Sequence, residues 1–277
     1  MPLPPEAGAT GPTGLPSWRE GPGSGATATV TGSDDLALDR PYKRRDTGRK
    51  VRLIQEWLCL HGFHVRIDGD FGPATEAALT RFQREVGLPV TATVDALTFE
   101  RLTAPMRAAL TPIAAEGRSL NQMVVAYARQ HLRQHPREIG GRNRGPWVRL
   151  YMGGNEGEPW AWSAGFVCLC LEQACRTLEV SLPIELSFSC DSLAASAKTQ
   201  GRFLSEPAER ERARVTPGSI FLNSRSPLDW QHTGLVVRAA PEVIQTIEGN
   251  INDEGVAEGY EVCERTRGYR HMDFIVL

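Results

Sequence analysis

The stretch Gly157–Leu178, GEPWAWSAGFVCLCLEQACRTL, constrains this chain more than any other. Val167, Cys170, Leu171, Ala174, Cys175 and Leu178 recur at i, i+3, i+4, i+7, i+8 and i+11, which is the apolar stripe of a helix buried on one face. A helix of this kind needs an apolar surface to lie on, so the chain after it must supply one. Pro159, Trp160 and Trp162 form a stiff approach that delivers Ser163 at or near the first turn. Unpaired backbone N–H groups and the positive end of the helix dipole gather there and favour an anionic nucleophile or a developing oxyanion.

A chain of 277 residues, 41% hydrophobic, is long enough for two modest packed domains and linkers. Its 31 basic and 33 acidic residues leave a net charge of −2, which gives no general attraction to nucleic acid. Cys168, Cys170 and Cys175 share one predicted helix, where a rise of about 1.5 Å per residue spaces them badly for bridging. Cys59 and Cys190 also lie in apolar contexts, and all six cysteines are read as reduced at synthesis. No segment has the apolar length of a membrane span, and the N-terminus lacks the pattern of a signal peptide. The expectation is synthesis in the cytoplasm and, for a substrate beyond the membrane, delivery by a non-classical route.

Residues 1–45 read as a disordered Pro/Gly-rich tail and linker, with Trp18 its one hydrophobic anchor and Lys43, Arg44, Arg45, Arg49 and Lys50 a solvated basic run at its end. Residues 46–103 read as a small helical domain. Val51, Ile54 and Leu58 make one stripe ending at Gly62; Ala77, Ala78, Arg81, Phe82 and Val86 make another ending at Gly87; a third short helix follows Thr93. Between the first two lies the turn Asp68-Gly69-Asp70-Phe71-Gly72-Pro73. The pattern of Gln55, Leu58, Gly62, the DGDFG turn, Thr75, Ala78, Phe82, Gln83, Gly87, Leu88, Val94 and Asp95 resembles the three-helix peptidoglycan-binding domain. That resemblance implies peptidoglycan as partner, with Asp68 and Phe71 either contacting it or closing the turn. His61 and His64 have no third or fourth ligand nearby and read as surface residues.

Residues 104–118, rich in alanine and proline, read as a second linker, and 119–277 as the second domain. A helix begins at Ser119 with Leu120, Val124, Tyr127, Ala128 and Leu132 inward. His131 and His135 stand at i, i+4, but HLRQH lacks the glutamate of a helical zinc peptidase, and no metal is expected. A second helix around Cys190–Thr199 precedes strands at Ser219–Leu222, Gly234–Arg238, Val243–Glu248, Tyr260–Arg265 and Phe274–Leu277. The turn residues between them predict an antiparallel sheet, and helices followed by strands predict an α+β fold. Asn250-Ile-Asn-Asp-Glu-Gly255, with Glu261, loosely matches a calcium loop, but its strand flanks favour a hairpin turn.

Trp162-Ser163-Ala164-Gly165-Phe166-Val167 resembles the W-C-A-x-F-V nucleophile helix of the CHAP amidase/peptidase family, relatives of the NlpC/P60 and papain-like cysteine hydrolases. The glycine- and arginine-rich run Arg137–Tyr151 resembles the lead-in of a CHAP-like subgroup, with Asn143 at the border of the cleft or bracing a loop. Gln231-His232-Thr233-Gly234-Leu235-Val236 resembles the family's GHVGIV strand start, and Thr246-Ile247-Glu248-Gly249 the strand end that gives its third member. The resemblance implies helices packed on an antiparallel sheet in a papain-like domain, and a catalytic set of Ser163, His232 and Glu248, with Asn250 an alternative orienter. Trp160, Trp162 and Trp230 are read as cleft walls. No cofactor is implied.

Serine at the nucleophile position departs from the family. A hydroxyl is not ionised by a helix terminus and an imidazolium as a thiol is, so activity in this form is expected to fall by orders of magnitude. Either a cysteine enzyme has had its nucleophile replaced, or this is a natural serine variant or pseudoenzyme; the intact remainder of the site favours the former. Cys168 and Cys170 do not substitute, because they lie on another face and roughly 10 Å down the helix. The resemblance implies a peptidoglycan hydrolase, either an N-acetylmuramoyl-L-alanine amidase or a peptide-stem endopeptidase, acting as a phage lysin or an exported antibacterial effector. It implies a monomer, and in the effector case an immunity protein or secretion-machine component as further partner. A non-catalytic wall-binding protein and a zinc-dependent wall peptidase are the competing readings.

Overall fold

A computed structural model describes residues 33–252 and 259–277. The N-terminal unit holds α1 (Ser33–Leu36), α2 (Arg49–Leu60), α3 (Pro73–Glu85) and α4 (Ala96–Leu110). Two buried glutamines organise its turns. Gln55 on α2 accepts from the Asp68 and Gly69 backbone N–H groups and donates to Asp68, the Asp70 carbonyl and Thr75. Gln83 on α3 does the same for the next turn, accepting from Thr91 and Ala92 and donating to Thr91, the Thr93 carbonyl and Thr98. Each amide satisfies a loop that would otherwise bury unpaired backbone groups.

The C-terminal unit is α+β, as expected. It contains α5 (Leu120–Leu132), α6 (Pro146–Tyr151), α7 (Ser163–Leu178) and α8 (Cys190–Thr199), then an antiparallel sheet in the order β1-β6-β2-β3-β4-β5. Its strands are β1 (Phe203–Leu204), β2 (Ile220–Ser226), β3 (Asp229–Ala239), β4 (Val243–Ile251), β5 (Glu261–Gly268) and β6 (Met272–Ile275). Ser119 and Gln122 close a reciprocal capping box on α5. Leu222, Leu235, Ile247 and Ile275 carry one sheet face into the core shared with α5 and α7. Phe221, Val236, Ile244 and Phe274 build a smaller core on the other face. The hairpin expected at residues 250–261 joins β4 to β5, and its tip, 253–258, lies outside the described residues.

Two close approaches fix α7. A Cβ on Gly165 would fall 2.2 Å from the Tyr151 carbonyl oxygen, so only glycine lets α6 lie against α7. A Cβ on Gly249 would fall 2.8 Å from both Phe166 Cβ and the Trp162 ring, so β4 touches the first turn of α7 backbone to side chain.

The two linkers of the sequence reading are docked segments. Tyr42 exchanges backbone hydrogen bonds with Val94. The helix α4 continues through Pro105 to Leu110, because Met106 and Ala109 are buried there and the Ala109 carbonyl accepts from Gln130 and Gln173. That burial overrides the alanine- and proline-rich composition. The tail residues 1–32, with Trp18, lie outside the described residues.

One hydrophobic cluster runs through both units, with Trp57 edge-on to Trp147 at 6.2 Å. Across this junction the buried Arg149 of α6 donates to Asp35 (2.6 Å), Glu56 (2.7 Å) and Glu156 (2.7 Å). A guanidinium offers its fork to all three carboxylates, which a lysine would not match. Arg149→Ala leaves buried carboxylates uncompensated and is expected to cost about 3–5 kcal/mol. Urea denaturation of the full chain measures this, and a loss below about 1 kcal/mol would mean the cluster does not hold the units together.

Candidate active site

The approach to α7 folds as a braced aromatic stack. Trp162, at the N-cap position, lies flat on Tyr151, with ring centroids 5.3 Å apart and planes 7° apart, and its indole N–H donates to Glu138 at 2.9 Å. The other oxygen of Glu138 accepts from the Asn143 backbone at 2.7 Å, and the Asn143 carbonyl accepts from Gly157. Burial raises the Glu138 carboxyl, opposed by these donors. No side chain caps α7, so the N–H groups of its first turn stay directed outward from the helix start beside Ser163.

On the sheet, α7 packs across β3 and β4, the strands that carry His232 and Glu248. His232 Nε2 donates to Glu248 Oε2 at 2.7 Å; both side chains are buried. Glu248 also accepts two hydrogen bonds from the Arg267 guanidinium on β5 (2.5 and 2.6 Å) and one from the Thr246 hydroxyl. Burial opposes ionisation of Glu248, but Arg267 and then His232 outweigh it and draw the carboxyl down to about 2. An ionised Glu248 accepting at Nε2–H fixes the imidazole tautomer and leaves Nδ1 with its lone pair. This is the arrangement of a general base held by an acid.

Ser163 is 4% exposed at the first residue of α7. Among the described residues no hydrogen bond joins it to His232. The titrating group it influences is the thiol of Cys190, the first residue of α8. Burial pushes that thiol up to about 12, and Ser163 offsets part of the rise. The N-terminus of α8 is tied to β3 by Asp191, which accepts from the Trp230 backbone N–H at 2.8 Å, two residues before His232.

Several expected contact residues lie elsewhere. Trp162 is fully buried and Trp230 is 6% exposed, its indole N–H donating to Asp273 at 2.7 Å, so neither is an open wall. Trp160 is partly exposed, edge-on to Phe188. Asn143 is buried as a loop brace rather than lining a cleft. Phe71 is fully buried under the DGDFG turn and closes it, whereas Asp68 is exposed, its Oδ1 accepting from Gln55 and from the Asp70 N–H. Asn250 makes no bond to His232, and its buried Oδ1 has no hydrogen-bond partner among the described residues. His61 is not free surface: its Nε2 bonds the Leu102 carbonyl at 2.8 Å and joins α2 to α4. His131 is a satisfied core histidine between Tyr151 (3.0 Å) and Gln173 (2.8 Å), and burial draws it down to about 4, so it is neutral at pH 7. Among the described residues no group of three or more His, Cys, Asp or Glu is placed to hold a metal ion.

Arg267 and Cys190 were missed in the sequence reading. The alternation of β5 puts Arg265 and Arg267 on the face of Glu248, and a buried carboxylate demands a cation. Cys190 carries no motif.

Residues 47–102 match the family described as "Putative peptidoglycan binding domain". The helical unit is a peptidoglycan-binding domain. The zinc D-Ala-D-Ala carboxypeptidase of Streptomyces albus G is 37% identical over 86 residues, 27% of this chain and 34% of that protein. The chain thus spans about a third of the length of that curated relative. The crystal structure of the SleB N-terminal domain is matched at 34% identity over 24% of this chain and 93% of that one, with a TM-score of 0.24. No helix among the described residues is long and apolar enough to cross a membrane.

Because the folded Glu248 carboxyl sits near 2 and its ordinary value is 4.5, the protein binds fewer protons there than the unfolded chain between those values. The stabilisation is present above pH 4.5 and disappears as pH falls towards 2. It is worth on the order of 3 kcal/mol. Denaturation curves of the parent chain and Glu248→Gln from pH 7 to 2 test this, the variant being expected to lack that slope.

Proposed function

We propose that this chain is a peptidoglycan hydrolase. Its C-terminal unit is a CHAP-like amidase/peptidase domain that cuts an amide bond with His232 as the proton-transfer group and Glu248 as its orienter. The observation that supports this most is the 2.7 Å bond from His232 Nε2 to a carboxylate clamped by Arg267. His232 Nδ1 takes the proton of the nucleophile, and the amide carbonyl carbon is attacked. The backbone N–H of Ser163, at the positive end of α7, stabilises the oxyanion. The same imidazole then protonates the leaving amine. Glu248 stays ionised throughout and balances the imidazolium.

The peptidoglycan-binding domain gives the substrate class, and its junction with the C-terminal unit holds the site at the polymer and raises its local concentration. The bond is either the muramoyl–L-alanine amide or one within the peptide stem. The role fits an exported antibacterial effector or lysin; a monomer, with an immunity protein where the producing cell needs protection, completes the proposal.

Ser163 at the nucleophile position favours a second reading, a wall-binding protein that has lost catalysis. Purified peptidoglycan incubated with Ser163→Cys is expected to release new amino groups and no new reducing ends, and with the parent chain to do so orders of magnitude more slowly. His232→Ala and Glu248→Gln are each expected to lower that rate by about 100-fold or more. Sedimentation with the wall but no release by any form would support the second reading. Loss of release on adding a chelator would point to a zinc peptidase instead.

A further inference from the structure

We infer that the groove along the outer face of α5 holds the anionic peptide stem of peptidoglycan. The inference deepens the wall-hydrolase reading, on which it rests for its substrate class, by naming where the stem is gripped.

The groove has a volume of about 540 Å³, within the range of small-ligand clefts. Its floor is apolar: Val125 and Ala126 of α5, Ile113 of the preceding loop, Pro217, and Val237 of β3. Val125, Ala126 and Ile113 are only partly covered, packed on the main core with one side left to solvent. Three guanidiniums, those of Arg118, Arg129 and Arg133, line the groove, and no carboxylate among the described residues does. Arg118 is held by the Glu116 carboxylate at 2.9 Å and by the Ala114 carbonyl at 2.6 Å. Arg129 and Arg133 are exposed, and their side chains have no hydrogen bond or ion pair among the described residues. Gln122 spends its Oε1 on the Ser119 N–H, and Gln130 spends its Nε2 on the Ala109 and Thr111 carbonyls. The lining thus keeps one spare amide donor and one spare amide acceptor.

This combination selects an anionic peptide with small apolar side chains. An uncrosslinked stem has that chemistry: alanines at its two ends, an acidic second residue, a diamino acid, and a free terminal carboxylate. The dimensions agree. From Gln122 to Arg133 the helix rises about 17 Å, the reach of about five extended residues. Arg129 and Arg133 stand one turn apart, about 6 Å, against about 7 Å between side chains two residues apart on an extended chain. The groove is also continuous with the wall-binding unit, because Gln130 bonds the last carbonyls of α4 and the Ile113 N–H donates to Tyr127 on α5. The cleft of about 690 Å³ over Arg149 gives no such preference, since its four cations are matched by four carboxylates.

Fluorescence anisotropy of a labelled stem, L-Ala-γ-D-Glu-diaminopimelate-D-Ala, titrated with the full chain tests this. The double variant Arg129→Ala/Arg133→Ala is expected to weaken binding about tenfold, the worth of two partly exposed charge pairs. Its circular dichroism is expected to match the parent, because neither side chain holds another part of the fold. Amidating the carboxylates of the stem is expected to cost the parent chain about the same factor and the double variant little more. If the full chain sediments with wall yet binds no stem, or the double variant binds the stem as the parent does, the groove is not the stem site. Digestion of walls by Ser163→Cys then judges the hydrolase reading separately. If an α-linked peptide of L-Ala and L-Glu of equal length binds there more tightly than the stem, the groove receives an acidic segment of a partner protein and the inference is overturned. If the full chain binds neither stem nor wall and Ser163→Cys digests nothing, both readings fail together.

Discussion

A buried carboxylate is stable only when its charge is met, and the C-terminal unit is arranged around meeting the charge of Glu248. Three neighbouring strands contribute: His232 from β3, Thr246 on β4 itself and Arg267 from β5. Removing water from a carboxylate costs several kcal/mol, which the guanidinium fork and imidazole N–H return through charge-assisted bonds. The consequence for the sheet is a fixed register. A slip of one residue between β4 and β5 would carry Arg267 to the other face and leave the carboxylate alone. The consequence for chemistry is a single imidazole tautomer, since Nε2 is committed and Nδ1 is the nitrogen left to act.

Seating α7 against β4 requires side chains to be absent as much as present. Gly165 admits the α6 carbonyl, and Gly249 admits Trp162 and Phe166 directly beside Glu248. The tryptophans read as cleft walls are instead the packing that makes this seat rigid. Trp162 spends its ring on Tyr151 and its N–H on Glu138, and Trp230 spends its N–H on Asp273. A large aromatic with one polar atom is well suited to bracing of this kind, and a sequence does not distinguish it from an aromatic awaiting a ligand.

Local pattern made much of the molecule readable. The stripes of α2, α3, α5 and α7, the start of α8 and five of the six strands follow from 3.6- and 2-residue periods and turn residues, and the order of helices before strands gave the α+β class. The pairing of His232 with Glu248 was implied by the family resemblance rather than by period or spacing. What escaped was non-local. Arg149 is one arginine in a loop-like run until Asp35, Glu56 and Glu156 converge on it from other segments. Phe71 and Asp68 looked available because a turn sequence does not reveal that Gln55 beneath it will consume its donors. The segment after Leu102 looked like a linker because composition does not record that Met106 and Ala109 have a core to enter.

That last difference bears on function. With a flexible linker, a wall-binding module gives its partner unit a cloud of positions and an effective concentration that thins with linker length. Here the junction is a shared apolar core closed by a buried arginine with three carboxylates, so the helical unit and the His232–Glu248 pair are held in one relative orientation. A fixed orientation forgoes reach and gains register: on the hydrolase reading proposed above, a strand of wall held by the first unit would present a restricted set of bonds to the second. On that reading, specificity would reside partly in Arg149 and its carboxylates, far from any reacting atom, because they would set which bond arrives at the site.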